Sequence, residues 1–468
     1  MPKPRARSLL VLLWDELKRD TLRLYGGPVG TPACERLAAR GVTFDRFYCA
    51  TPLCVPTRPS MMGGRWPHAH GAVSFGTQHE VLHRGEQLLF DRLLDAGYHV
   101  GYEGIWHINR HPGDDRSGEV AYFRPTGFCR EQYRQMLAEQ GRADADGSGT
   151  CTYLTEHGIV EASLSVPLPA RWTGPIEGHL DYQHAYNIAE FIRGAPDDRP
   201  FAAFCSLGIP HPPLLVPDSF LDMFDPAHIA PPPGFDMDRA GLPWAVAEAP
   251  GYQAVADWGW DRWAEAIAAY YGFVAFGDYC MQVVLDALAQ SGLADETLVV
   301  MTCDHGEMLG SHGMYQKGCM YEDAIRLPCV IAGPGVPAGR RGQLASQTDL
   351  TPTLLELLGL EPLRDAQGVS LVPVIEDAVT PVHPYTFSEF NGHMDGGYSI
   401  RCCVSETHKY VYYHGDVIDQ LFDLRADPHE LTNVARDPAY AEVRARMRSA
   451  MAAWMEQTGD FIKAQWPD

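Results

Sequence analysis

Apolar residues fall along the chain in short unbroken runs and in longer helical stripes, and the two kinds alternate. SLLVLLW (8–14) is an uninterrupted run of strand length; a strand without polar alternation is one covered on both faces. TPACERLAARG (31–41) carries helix punctuation, with Thr31 to cap it, Pro32 in its first turn and Gly41 to stop it. VTFDRFYCA (42–50) then reads as extended, and HVGYEGIW (99–106), PFAAFCSLGIP (200–210) and ETLVVMTCDHGE (296–307) as further strands. Helical stretches lie between them, among them EQLLFDRLLDAG (86–97) and GFVAFGDYCMQVVLDALAQSG (272–292). This alternation predicts an α/β fold, a large and mostly parallel sheet with helices on both faces.

The strand ends share a property. Asp15 and Glu16, His107, His211, and Asp304 with His305 each stand just after a predicted strand. Open α/β sheets bind ligands outside the carboxyl ends of their strands, so these residues predict one site. Segments 130–195 and 225–262 show little periodicity, and the second is rich in Pro and Trp. Both read as insertions over the site's rim, with Trp258, Trp260 and Trp263 offering an apolar or sugar-stacking surface. From about residue 380 the strands shorten, as in KYVYYH (409–414), and a last helix covers AEVRARMRSAMAAWMEQ (441–457). The expected division is a larger α/β domain over 1–378, which holds the strand-end residues, and an α+β subdomain over 379–468, with a small antiparallel sheet and a terminal helix.

Charge narrows the partners. A net charge of −23 argues against a nucleic-acid backbone as ligand. Any anion site must be locally cationic or hold a metal. The first apolar run meets Asp15 and Glu16 without a small-residue cleavage site, so it reads as a strand and not a leader. No stretch reads as a bilayer span. The twelve cysteines, Cys402 and Cys403 included, are expected to be mostly reduced and structural, which places the protein in the cytoplasm.

Three carboxylates and an imidazole, Asp15, Glu16, Asp304 and His305, would repel unless a cation lay between them. Carboxylate oxygens suit hard divalent ions; the histidine admits Mn, Zn or Fe. Upstream, TPLCVPTRPS (51–60) sets Cys54 four residues ahead of Arg58, and the following PSMMGG is able to open a helix. A helix N-terminus favours an anion, and Arg58 is placed to reach back to residue 54 and a bound oxyanion. Read alone, C-x-P-x-R is also a buried thiol in a rigid turn. His68 and His70 read as loop residues or as lining the pocket, His211 also as a packing residue, and His312 as an outer partner of Asp304.

Together these stretches resemble the sulfatases of the alkaline phosphatase superfamily. LCVPTRPSMMGGRWPHAHG is similar to that family's signature, and LLVLLWDELKRDTLRLYGG to its opening strand with the first metal ligands. GYEGIWHINR, GIPHPPLLVP, TCDHGEMLGSHGMYQKGCMYEDAIRLPCVIAGPG, LTPTLLELLGL and LFDLRADPHELTNVA follow in the family's order. The resemblance implies an alkaline-phosphatase-like mixed, mostly parallel sheet. It implies hydrolysis of sulfate monoesters through a covalent sulfo-enzyme, with Cys54 converted after translation to formylglycine by a separate maturation enzyme. Asp15, Glu16, Cys54, Asp304 and His305 would bind one divalent ion, calcium first, with Mn, Zn or Fe as alternatives. Arg58 would hold the formylglycine. Lys317 and His211 would act on the sulfuryl oxygens and the leaving oxygen, and His107 would be the base of the elimination. A small-molecule ester is the expected substrate and a homo-oligomer the expected state, with no nucleic-acid or membrane partner.

The chain departs from the family pattern at three places. Glu16 stands where Asp, Asn or Gln is usual. Ile105 replaces the lysine of G-K-W-H, which removes a cation from the anion pocket. Asp304-His305 stands in place of Asp-Asn; Asp-His occurs in some sulfatases and also in the related phosphonate monoester and phosphodiester hydrolases. Those hydrolases form the alternative reading on the same apparatus. A catalytically silent binding protein and a hydrolase using Cys54 as a free thiol are the other two.

Overall fold

The computed structural model describes residues 6–76, 79–126, 150–155, 158–163, 166–392 and 398–466. The apolar runs build an eight-stranded sheet from β1 (Ser8–Asp15), β2 (Gly41–Tyr48), β3 (His99–Ile105), β4 (Tyr122–Thr126), β8 (Phe201–Pro210), β10 (Thr297–Cys303), β11 (Arg326–Ala332) and β12 (Gly339–Ser346). Outside it lie a hairpin of β5 (Thr150–Thr155) with β6 (Gly158–Ser163) and the parallel pair β7 (Pro169–Trp172) with β9 (Leu214–Pro217). The spatial order of the large sheet is β12-β2-β11-β10-β1-β8-β3-β4. Only β11 runs against the rest, so the carboxyl ends of β10, β1, β8 and β3 lie side by side.

All eight residues of β1 are buried, as its run without polar residues requires. Its alternating side chains meet different layers. Trp14 reaches the helix Trp260–Gln290, where a Cβ on Gly277 would stand 2.2 Å from the indole ring. Val11 pairs with Phe204, whose ring packs at a tilt against Phe90 of the helix Leu89–Asp95, with centroids 4.5 Å apart. The helices Pro32–Ala38 and Leu180–Arg193 join the long helix, and Cys54–Gly63 and Leu350–Leu357 join Leu89–Asp95.

The structure differs from several sequence expectations. The helix expected over 272–292 begins at Trp260. It is long and apolar enough to cross a membrane by length and composition, yet most of its apolar window is buried inside the protein, as in a core helix. The helix Leu180–Arg193 falls in the segment read as rim, but its Ala185, Ile188, Ala189 and Ile192 are core residues. Residues 130–149 of that segment lie outside the described residues. In 225–262, Trp258 is 9% and Trp263 2% exposed, so neither offers a stacking surface. Trp263 packs on Phe235, and Tyr315 N donates to Gly251 O at 3.0 Å, so this segment backs the loop that leads to Lys317.

Four antiparallel strands, β13 (Thr386–Phe390), β14 (Ile400–Val404), β15 (His408–Tyr413) and β16 (Gln420–Asp423), form the second sheet. The helix Ala441–Thr458 packs on it through Met447, Met451 and Trp454. The subdomain is knitted to the chain just before Cys54: Ser388 Oγ donates to Cys49 O at 2.6 Å and Glu389 N to Ala50 O at 2.9 Å. The ten cysteines with described side chains are unpaired and buried, Cys402 and Cys403 within β14.

Candidate active site

The helix that opens the site begins at Cys54, not at the later PSMMGG stretch. Pro56 sits in the first turn, where a backbone N–H has no helical partner to lose. A spacing of four residues puts Arg58 on the same helix face as Cys54; that is the structural reason for the spacing. All ten residues of the helix are buried.

Cys54, Asp15, Asp304 and His305 each bring a donor atom to within 4.8 Å of the others. Asp15 ends β1, and Asp304 follows the neighbouring β10. His305 Nδ1 lies 3.1 Å from Gly306 O, which fixes the N–H there and leaves Nε2 as an acceptor 3.2 Å from Cys54 Sγ. Arg58 is spent on the carboxylates. Its Nε donates to Asp304 Oδ2 at 3.0 Å and Nη2 to Asp15 Oδ2 at 2.8 Å, while Nη1 donates to Ile105 O and Ser206 Oγ. It therefore braces the two aspartates, where the sequence reading gave it residue 54 and an oxyanion.

Glu16 turns on a positive φ of 62°, a strained conformation of the kind found at functional sites. Its Oε2 receives Lys317 Nζ at 2.7 Å and His211 Nε2 at 3.1 Å. His211 Nδ1 also faces an acceptor, Pro212 O at 2.6 Å, so both ring nitrogens lie against oxygen atoms. His107 follows β3 with φ 48°, and its buried Nδ1 has no hydrogen-bond partner. Gly104 makes this turn possible: φ is +101°, and a Cβ there would meet Ser206 O at 1.8 Å.

Burial and neighbouring charge set the protonation states. Burial raises Asp15, and the nearby Asp304 adds to it. Burial works against charge on Glu16 too, but Lys317 and His211 outweigh it and push it down to about 2. Asp304 is likewise held low by His305 and Arg58 against the effect of burial. Lys317 stays an ammonium because Glu16 outweighs its burial. Burial pushes the Cys54 thiol well above its usual value, with the acidic neighbours outnumbering Lys317; that disfavours a free thiolate nucleophile. Burial and then Arg58 push His107 down to about 3, so its ring is neutral.

The donor set fits a divalent cation. Asp15 Oδ1 is buried without a hydrogen-bond partner, an expensive arrangement unless something else takes it, while Glu16 also meets the neighbouring Glu307 carboxyl. Among the described residues, Arg58 pairs with Asp15 and Asp304, and Lys317 and His211 pair with Glu16, so Asp15 Oδ1 with the converging Cys54 and His305 atoms is what remains for a dication.

Three contributors escaped the sequence reading. Gln347 donates to Asp304 O at 3.0 Å and accepts from Thr57 Oγ1 at 2.5 Å, tying the Cys54 helix to the end of β10. Ser206 braces Arg58. Glu307, raised by burial and by Glu16, accepts the N–H groups of Leu309 at 2.8 Å and Gln316 at 2.7 Å. Of the histidines left open, His70 lies 2.8 Å from Ser60 Oγ and His68 contacts Glu389, so both are structural. His312 stacks on Tyr321 at 3.8 Å and is no partner of Asp304.

Residues 7–360 match the Sulfatase family model, and residues 310–457 match the model of the N-sulphoglucosamine sulphohydrolase C-terminal region. An uncharacterized sulfatase of Escherichia coli, YidJ, is 27% identical over 98% of this chain and 89% of its own length. An arylsulfatase of Clostridium perfringens is 25% identical, covering 93% of this chain and 91% of its own. Among solved structures, the phosphonate monoester hydrolase of Agrobacterium radiobacter superposes with a TM-score of 0.81 at 25% identity, over 97% of this chain and 96% of its own. The family model spans every strand-end residue gathered around Cys54 and Asp304, and by that match the chain belongs to the sulfatase family, enzymes that hydrolyse sulfuric esters.

Proposed function

We propose that the protein hydrolyses sulfate monoesters with residue 54, converted from cysteine to formylglycine by a maturation enzyme, as its nucleophile. The observation that carries this is the convergence of Asp15, Cys54, Asp304 and His305 on one point. These residues would hold one divalent ion, calcium or alternatively Mn, Zn or Fe, with Glu16, whose carboxylate lies within reach of Asp15, completing the set. The ion would lower the pKa of the attacking hydroxyl and polarise an ester oxygen. Formylglycine would supply that hydroxyl and a way to release sulfate without water attacking sulfur.

The chain's own side chains do the rest. Arg58 helps to keep Asp304 charged and holds Asp15 and Asp304 in place. Lys317 neutralises the sulfuryl oxygens, a task for a preorganised buried cation. His211, with Nε2 on the same carboxylate oxygen as Lys317, is placed to give its proton to the departing alcohol. Neutral His107, with its open Nδ1, takes the proton released when residue 54 is regenerated.

A second reading rests on Ile105. Ile105 stands where the resemblance expects a lysine, so no cation is offered there to a further anionic oxygen. An apolar side chain at that position tolerates a carbon or an esterified oxygen on the transferred group, which favours phosphonate monoesters or phosphodiesters as additional substrates. Parallel turnover of an aryl sulfate, an aryl phosphonate monoester and a phosphodiester by the metal-loaded protein decides between them. Highest kcat/KM on the sulfate supports the first reading; turnover confined to the phosphorus esters overturns it.

A further inference from the structure

Lys317 sits in a stretch that does not hold its own shape. The chain from Met314 to Tyr321 has neither helix nor strand, and Gln316 (φ 64°) and Gly318 (φ 92°) bracket the lysine with left-handed backbone. Upstream the loop is fastened by Glu307, through the Gln316 N–H. Downstream it is fastened by the C-terminal subdomain. Lys409 of β15, fully buried, donates to Met320 O at 2.7 Å and pairs with Glu322 Oε1 at 3.0 Å and Glu430 Oε1 at 2.6 Å. Glu430 Oε2 accepts the Glu322 N–H at 2.6 Å. Tyr48 OH, 3.1 Å from Glu322 Oε2, joins the cluster to the end of β2. Phe390 adds a contact, its ring 3.4 Å from where a Cβ on Gly318 would lie.

A buried ammonium with two carboxylates is a poor device for stability, since desolvation offsets the attraction. It is a good device for fixing a backbone: one cation and one carboxylate grip a carbonyl and an N–H within five residues of Lys317. We propose that Lys409 and Glu430 are positioning residues, which through the Met320 carbonyl and the Glu322 N–H hold Lys317 against Glu16 in the geometry its reaction needs. This rests on the role given to Lys317 above.

The test is a double-mutant cycle on full-length, metal-loaded protein, with Lys409→Met, Lys317→Ala and both together. The substrates are 4-nitrophenyl and phenyl sulfates, or the matching phenylphosphonate esters if those are the esters turned over. A displacement of about 1 Å at a reacting group can lower the rate by about a hundredfold. Lys409→Met is expected to lower kcat roughly ten- to a hundredfold, more for the poorer phenol leaving group, with KM little changed. Adding it to Lys317→Ala is expected to cost no more than about twofold further, because both changes remove the same function. If Lys409→Met does not fold, Glu430→Gln is read in the same cycle, with a severalfold loss of the same pattern expected. A loss equal in both Lys317 backgrounds and uniform across leaving groups, or unchanged kinetics, overturns the proposal. Full activity of Lys317→Ala would overturn the role of Lys317 and this inference with it; an impaired Lys317→Ala without coupling overturns this inference alone.

Discussion

Cys54 Sγ lies 3.2 Å from His305 Nε2, the nitrogen that faces away from the Gly306 carbonyl. The first residue of a helix and the residue after a neighbouring aspartate thus aim at one point from opposite sides. If that point holds a cation, His305→Ala removes a neutral nitrogen ligand and leaves the carboxylates. The variant is expected to bind the metal more weakly by at least the roughly 10–100-fold that loss of a ligand's outer partner costs, measured by calorimetric titration of the metal-free protein. Equal metal affinity in the two proteins would take His305 out of the ligand set.

Metal removal has a predicted thermodynamic signature. A ligand at a hundredfold excess over its Kd stabilises the folded state by about 2.7 kcal/mol. Chelation is therefore expected to lower Tm measurably, and readdition of calcium or manganese to restore it. The stabilisation is expected to vanish in Asp15→Asn with Asp304→Asn. A Tm indifferent to chelator and metal would contradict the cation site.

Arg58 is 1% exposed and lies between two buried aspartates. Replacing one member of such a cluster leaves uncompensated buried charge and typically costs about 3–5 kcal/mol. Arg58→Met is expected to lose that much stability in urea unfolding, and Arg58→Lys to lose less but still fail to span both aspartates. A near-neutral Arg58→Met would show that Asp15 and Asp304 do not depend on it.

Glu16 gives a pH dependence with a defined sign. Its folded pKa of about 2 lies below the ordinary 4.5 because Lys317 and His211 outweigh burial. Its contribution is therefore present above pH 4.5 and lost as pH falls toward 2. Metal-free wild type is expected to lose stability relative to Glu16→Gln across that window, by an amount on the order of 3 kcal/mol. Parallel acid-unfolding curves would remove the Glu16–Lys317 pair from the stability of the site.

Much of this site is legible in the sequence because its residues follow strands, and strands covered on both faces declare themselves as unbroken apolar runs. Asp15, His107, His211 and Asp304 needed only that rule. The start of the Cys54 helix is hard to see in the sequence because closely spaced prolines favour extended backbone, whereas here Pro56 occupies the first turn and Pro59 lies within a fully buried helix. The long helix lost its first turns to the Trp-rich DWGWDRW stretch, where tertiary burial of Trp258 and Trp263 decides their role. Gln347, Ser206, Lys409 and Glu430 reach the site or its supporting loop only through tertiary hydrogen bonds, which leave no local pattern.

The central claim concerns the chemistry of one side chain. The most direct test is a mass spectrum of the tryptic peptide containing Cys54, from active protein produced alongside a formylglycine-generating enzyme. The expected result is an aldehyde in place of the thiol, with the aldehyde fraction tracking specific activity. An unmodified thiol in fully active protein would contradict it.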